Sequence, residues 1–224
     1  MPTQPSDPLR LNKHLALYLG ISRREADNLI DQQKVQINDQ TASLGARFVL
    51  SDKITVDGKE LNKKVEYQYL ALNKPVGYVC SRKKQGDSPT IYDLLPGKYH
   101  TLKPVGRLDR NSSGIVLLTN NGDFAYRMTH PSFRKTKIYN VRLEKNLEPL
   151  HQQMISDFGV TLDDGPSKFQ LERMNETDRK SWIVTMHEGR NRQIRRTFGS
   201  LGYTVSKLHR TNFGNYALGD IKTG

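Results

Sequence analysis

The chain has 224 residues, with 35 Lys and Arg against 23 Asp and Glu, a net charge of +12. Its single cysteine excludes a disulfide framework and a multi-cysteine zinc site, and no apolar run approaches the roughly 18 residues of a membrane-spanning helix. The surplus of positive charge points to a polyanionic partner, nucleic acid foremost, and the start of the chain lacks the charged and apolar regions of a secretory leader, so a cytoplasmic protein is expected.

Residues 1–8 hold Pro2, Pro5 and Pro8 and read as a disordered tail. Leu11, Leu15, Tyr18 and Leu19 share one helix face, and Gly20 stands where a terminating glycine belongs. Ser22 and Glu25 form a capping box that opens a second helix, with Ala26, Leu29 and Ile30 inward. Val35–Ile37 alternates as a strand into the Asn38-Asp39 turn, and Ile54–Val56 runs into Asp57-Gly58, a hairpin signal. Residues 9–62 therefore read as a small α/β domain, 63–67 as a polar linker and 68–224 as a second domain.

In the second domain, Tyr67–Leu72 is strand-like and Asn73-Lys74-Pro75 is expected to turn the chain. Residues 81–89 read as an exposed loop carrying Arg82, Lys83 and Lys84, and Ile91–Leu95 as a short helix stopped by Pro96-Gly97. Ile115–Thr119 is a continuous apolar strand, 123–129 is helical, and Lys137–Leu143 alternates as a strand. Leu147–Phe158 reads as an amphipathic helix ended by Gly159. Phe169–Glu172 and Trp182–Met186 are strands around a turn at 175–180; 191–200 is helical and Tyr203–Leu208 is a last strand. Strands with interspersed helices and mostly hairpin-length turns imply an α+β fold. The charge is uneven. Residues 1–67 hold 10 basic and 9 acidic residues against 25 and 14 in 68–224, and the segments 98–137 and 187–210 are the most basic. A phosphate-binding surface would draw on those two segments.

The six histidines lack metal-ligand spacing, so no metal is expected, and Cys80 reads as a small buried apolar residue. There is no nucleophile-elbow serine, phosphate-cradling loop or dinucleotide fingerprint. What remains is Gly106-Arg107-Leu108-Asp109-Arg110-Asn111-Ser112-Ser113-Gly114, one carboxylate between two arginines in a glycine-bounded loop. Positive neighbours favour its ionised form, and a positioned carboxylate can attack an electrophilic carbon or accept a proton. Taken alone, an Asp between arginines is more often a surface pair that shapes a turn.

Longer motifs carry a resemblance. Arg10–Leu15, Gly20–Ala26 with its intact Ser-Arg-Arg-Glu-Ala, and Val35–Asn38 resemble the S4 RNA-binding domain. Gly-Arg-Leu-Asp followed by Ser-Gly, an apolar strand and Thr-Asn-Asn-Gly-Asp is similar to the catalytic motif of pseudouridine synthases. Lys137-Ile138-Tyr139 and 188–196 match two further motifs in order, and Lys207–Arg210 fits the strand after them. The chain thus resembles, over residues 9–216, the S4-domain ribosomal RNA pseudouridine synthases.

That resemblance implies a catalytic domain on a mixed, mostly antiparallel sheet with flanking helices. It makes Asp109 the catalytic carboxylate and Tyr139 the ring that stacks on the uracil. Arg195 would pair with Asp109, Ile194 would pack beside the base, and Arg107 would fill the gap left by a flipped nucleotide. Arg190, Arg192 and Arg196, with Arg82–Lys84, would meet phosphates, and Lys13, Arg23 and Arg24 would form the RNA face of the S4 domain. No cofactor is implied. The partner would be 23S rRNA, since Leu162–Pro166 and 188–192 look like the large-subunit enzymes, with 16S rRNA or an assembly intermediate as alternatives. A monomer is expected, with no membrane contact. Two departures stand out: Arg110-Asn111 before Ser112-Ser113, where an acidic residue and Thr are commoner, and a stop soon after the last strand, which leaves the end of the sheet open. The competing readings are a non-catalytic rRNA-binding or assembly factor and a nucleoside hydrolase. The hydrolase would need a second carboxylate, which nothing in the sequence pairs with Asp109.

Overall fold

The computed structural model describes residues 8–61, 66–82 and 86–224. Residues 1–7 of the expected tail, 63–65 of the linker, and Lys83 and Lys84 lie outside this set. Two units follow in series, Met1–Gln68 and Tyr69–Gly224.

The first unit runs β1 (Leu9–Arg10), α1 (Leu11–Leu19), α2 (Arg23–Asp31), β2 (Val35–Ile37), β3 (Gln40–Thr41), β4 (Arg47–Phe48), β5 (Ile54–Val56) and β6 (Lys59–Glu60). Strands β3-β2-β5-β6 form an antiparallel sheet, and β1 pairs with β4. The capping box is present: Ser22 Oγ accepts from the Glu25 N–H, and Glu25 accepts from the Ser22 N–H. Asn38, Asp39, Asp57 and Gly58 all have positive φ, as a two-residue hairpin whose twist matches its strands requires. Leu11, Leu15, Ala26, Ile30, Val35, Phe48 and Ile54 close the core.

The second unit contains β7 (Tyr69–Lys74), β8 (Lys103–Val105), β9 (Ser113–Thr119), α3 (Gly122–Thr129), β10 (Lys137–Leu143), α4 (Pro149–Gln153), β11 (Val160–Leu162), β12 (Gly165–Ser167), β13 (Gln170–Asn175), β14 (Asp178–Met186), α5 (Gln193–Ser200), β15 (Val205–Phe213) and β16 (Tyr216–Ala217). Its main sheet has the order β13-β14-β10-β15-β9-β7, with β8 on β9 and β16 on β15. Every pair is antiparallel except β15 with β9. The sheet is thus mixed and mostly antiparallel, as expected. Strand β9 explains its own unbroken apolar run. Val116 and Leu118 enter the core with Trp182, Val184 and Phe198, while Ile115 and Leu117 enter a second core with Val105, Met128 and Phe213. A strand buried on both faces cannot alternate.

Several boundaries differ from the sequence reading. Strand β7 runs through Lys74 instead of turning at Asn73, because the Lys74 side chain finds buried partners. The expected helix from Leu147 starts at Pro149, the residue type suited to a first helical position. It loosens to a π-turn over Met154–Phe158, closed by the Gly159 N–H on the Met154 carbonyl. Strands β13 and β14 extend to within two residues of each other, and β15 continues to Phe213 opposite Lys137. The end of the sheet is occupied: β16 pairs with β15, Thr223 bridges to Asn73, and the Gly224 N–H donates to the Asn73 carbonyl.

Candidate active site

A cavity of about 680 Å³ opens beside the ends of β10 and β14 and the start of α5. Its floor carries Asp109, Tyr139, Ile194 and Leu208, and Arg107 also lines it. One wall is the segment 187–192 after β14; the other is 128–131 with Lys135 after α3.

The floor is held from beneath. Lys74 is fully buried, and its ammonium donates to the carbonyls of Ser112 (2.6 Å), Pro75 (2.9 Å) and Asp109 (3.2 Å). One side chain thereby pins both ends of the Asp109–Ser112 turn. Burial pulls its pKa down to about 8, while Cys80 and Asp109 act in the opposite direction. Cys80 supports the same loop: its Sγ accepts the Leu108 N–H at 3.4 Å, and burial pushes its thiol up.

Two glycines fix the loop's flanks. A Cβ on Gly114 would fall 2.2 Å from the Arg210 carbonyl oxygen, so only glycine lets β9 lie against β15 there. The crossing is reinforced by Ser113 Oγ and His209 Nδ1 at 2.8 Å and by Arg210, which donates twice to the Ile115 carbonyl. Gly106 has φ +69, and a Cβ there would meet Thr129 and Phe213. Gly106 therefore lies beside Thr129 at the end of α3. Tyr139 is buried at the cavity, and the β10–β15 register shifts beside it, the kind of irregularity that re-aims a strand residue.

The arginines distribute differently from the sequence expectation. Arg195 does not ion-pair with Asp109; it donates to the carbonyls of Val205 (2.6 Å) and Asn111 (2.8 Å). Arg192 takes the pairing role, with Nη1 3.6 Å from Asp109 Oδ2. The reason is local. Arg192 occupies the left-handed region just before α5, which turns it back toward the loop, whereas Arg195 is a turn further on beside β15. Burial and then Arg192 lower the pKa of Arg195, and Asp109 opposes them.

Arg190 and Arg196 are not free for phosphates either. Arg190 donates to the Asp164 carboxylate (2.7 Å) and to the carbonyls of Asp164, Gly165 and Pro166. Arg196 bonds to Asp163 and to Asp164 Oδ2 (2.6 Å), and the Arg196 bond foremost lowers the Asp164 carboxyl. The β11–β12 turn thus clamps the 188–192 segment. Beneath it, Gln193 and Thr197 donate to Ser167 Oγ, at 3.0 and 2.7 Å.

In the first unit, Arg23 and Arg24 stand exposed in the first turn of α2, and Lys13 is half-buried on α1. A helix N-terminus disfavours cations, so this placement calls for a reason beyond folding. Arg23 donates to Asn12, which in turn holds Asp27.

Sequence reasoning missed Lys74, the Arg192 pairing and the Asp163-Asp164 clamp. A lysine in an apolar strand and two adjacent acids facing a basic segment were the available signals.

The family described as RNA pseudouridylate synthase matches residues 68–200, and the S4 domain matches residues 9–54. The chain is 37% identical to a ribosomal large subunit pseudouridine synthase B of Pseudomonas aeruginosa, covering 95% of this chain and 58% of that protein. It is 34% identical to the protein of that name from Bacillus subtilis, covering 96% and 89%. It is also 36% identical to a ribosomal small subunit pseudouridine synthase A of Pasteurella multocida, covering 95% and 91%. A crystal structure of a pseudouridylate synthase aligns with a TM-score of 0.67 at 33% identity, over 96% of this chain and 93% of that one. The chain therefore spans about half the length of some relatives and about nine-tenths of others.

Proposed function

The chain belongs to the RNA pseudouridylate synthase family, and on that premise we propose that it isomerises a specific uridine of 23S ribosomal RNA to pseudouridine. The observation that carries the proposal is Asp109, held on a Lys74-anchored turn in a cavity it shares with the Tyr139 ring and Ile194. The reaction breaks the C1′–N1 bond, joins C1′ to C5, releases the C5 proton and leaves N1 protonated. No group is gained or lost, so the chemistry calls for no cofactor.

Asp109 serves as the catalytic carboxylate, either by bonding to the sugar or by taking the C2′ proton. Arg192 aims it. Tyr139 stacks under the uracil, Ile194 packs at its edge, and exposed Arg107 fills the space it vacates in the RNA. Extracting the base costs a few kcal/mol, which favours an unpaired target. Lys13, Arg23 and Arg24 add phosphate contacts from the S4 domain. The protein acts as a monomer in the cytoplasm, on rRNA or an assembly intermediate. No helix among the described residues is long and apolar enough to cross a membrane.

The test is proton release from RNA labelled with tritium at uridine C5, using 23S and 16S transcripts, followed by mapping of the modified position. One modified uridine in 23S RNA, absent with Asp109→Asn, is the expected result. A 16S site would move the substrate to the small subunit, a reading favoured by the Pasteurella multocida relative. Free uracil would point to hydrolysis. RNA binding with no release on transcripts or on ribosomal precursors would leave a binding factor.

A further inference from the structure

The end of α3 and the turn before β10 carry a short exposed segment that the mechanism does not use. Tyr126 and Phe133 keep 53% and 42% of their surface open to solvent, and His130 is exposed beside them. The three rings pack on one another rather than into a core. Tyr126 and His130 have centroids 4.7 Å apart, and Phe133 meets Tyr126 edge-on at 5.7 Å. The backbone beneath satisfies itself: Phe133 donates to the His130 carbonyl, Arg134 to Pro131, and the Ser132 N–H to His130 Nδ1. Arg134 closes this turn at φ 43°, ψ 45°, a conformation that costs a non-glycine residue about 1 kcal/mol or more.

Charge points the same way. Arg127, Arg134 and Lys135 make no ion pair with the described residues, whereas Arg190 and Arg196 are held by Asp163 and Asp164. Thr129, His130, Pro131 and Lys135 also line the cavity that holds Asp109, and Thr129 abuts Gly106 at the start of the Arg107–Asp109 loop. Clustered aromatic faces among unpaired cations are the chemistry that takes unpaired nucleotides: rings stack on bases and cations meet the backbone.

We propose that Tyr126, His130 and Phe133 form a stacking platform for an unpaired base of the substrate RNA beside the isomerised uridine, with Arg127, Arg134 and Lys135 on its phosphates. The proposal rests on the reading of the cavity as an RNA site. Losing a stacked base costs about tenfold or more in affinity.

The experiment uses the full chain with Tyr126→Ala/Phe133→Ala, compared with Tyr126→Phe/Phe133→Tyr. The expected result on 23S transcripts is a KM raised about tenfold with kcat changed less than twofold in the alanine pair, and near wild-type values in the aromatic pair. Thermal midpoints of all three proteins report whether the fold is intact. A second arm needs no turnover: anisotropy with a labelled ten-nucleotide uridine oligomer and with its abasic counterpart. The alanine pair should bind the uridine oligomer about tenfold more weakly and the abasic one equally well. If the wild type forms no pseudouridine, the proposed function fails while this arm still decides the platform. Equal binding of the uridine oligomer by wild type and alanine pair overturns the platform and leaves a face for a protein partner. Equal losses on both oligomers overturn stacking.

Discussion

Two segments that border the cavity are both basic in sequence and opposite in behaviour. After β14, the arginines are neutralised within the fold: Arg190 and Arg196 grip the Asp163-Asp164 turn, and Arg192 turns to Asp109. At the end of α3 and in the turn after it, Arg127, Arg134 and Lys135 stand without carboxylate partners among the described residues, next to exposed rings. A basic motif therefore has two physical uses. One segment ends its guanidinium groups on carboxylates of the fold; the other leaves its cations open to solvent, where an outside polyanion would meet them. Counting positive charge cannot separate them, but asking where each guanidinium ends does.

The largest effect belongs to the floor the walls share. Asp109→Asn should lower proton release by about a thousandfold, in the range lost with a general acid or base, with RNA affinity in a filter-binding assay nearly unchanged. Residual turnover close to wild type would remove Asp109 from the mechanism. Lys74→Met comes next. It takes the Lys74 donor from the Pro75 and Ser112 carbonyls, each worth about 1–3 kcal/mol when left without a donor, while the Asp109 carbonyl keeps the Ser112 N–H; urea unfolding should show a loss of about 3 kcal/mol.

The walls themselves separate in the next two tests. Asp164→Ala releases the clamp on 188–192. It should lower kcat by up to the ~100-fold that a 1 Å misplacement can cost, lower the thermal midpoint, and leave RNA affinity unchanged, because Arg196 keeps Asp163 and Arg190 keeps the carbonyls of residues 164–166. A loss of affinity instead would mean that this wall touches RNA. Arg134→Gln should reduce the salt dependence of RNA binding by about 0.7 in log–log slope, one phosphate contact on a single strand. Arg196→Gln should leave that slope alone. Equal slopes for both variants would erase the contrast between the walls.

The smallest effect is a pH dependence. Burial brings the Lys74 ammonium down to about 8. Above that pH the neutral amine keeps two N–H donors for three carbonyls, so kcat should decline as pH rises through about 8. Stability moves the other way. The unfolded chain holds this proton up to about 10.4, so between the two values it binds more protons than the folded chain, and the Lys74 contribution to stability rises with pH. Parallel pH profiles of turnover and urea midpoint check the opposite signs, and Lys74→Met should flatten both.

Local signals in the sequence carried most of the fold. The Ser22–Glu25 box, the Asp57-Gly58 turn and the alternation of Lys137–Leu143 act within a few residues, and each element formed where its pattern lies. The misses are long-range. Lys74 looks like a turn residue until its carbonyl partners arrive from residues 109 and 112. Whether Arg192 or Arg195 meets Asp109 depends on the helical phase at the start of α5, which a left-handed Arg192 sets. The Asp163-Asp164 clamp spans about thirty residues, beyond the reach of periodicity. Of the candidate site, the Asp109 loop and Tyr139 were legible as motifs, while the supports beneath and beside them were not.

The Gly114 crossing also sets a timetable. Ser113 and His209 are 96 positions apart in the chain, so during synthesis the Asp109 loop emerges long before the strand it must lie against. At ~5–20 residues per second, that interval is about 5–20 s. Contacts closed over so long a stretch form late in folding. A nascent chain therefore completes this cavity only when β15, which supplies Leu208, Arg210 and Phe213 to its lining, docks.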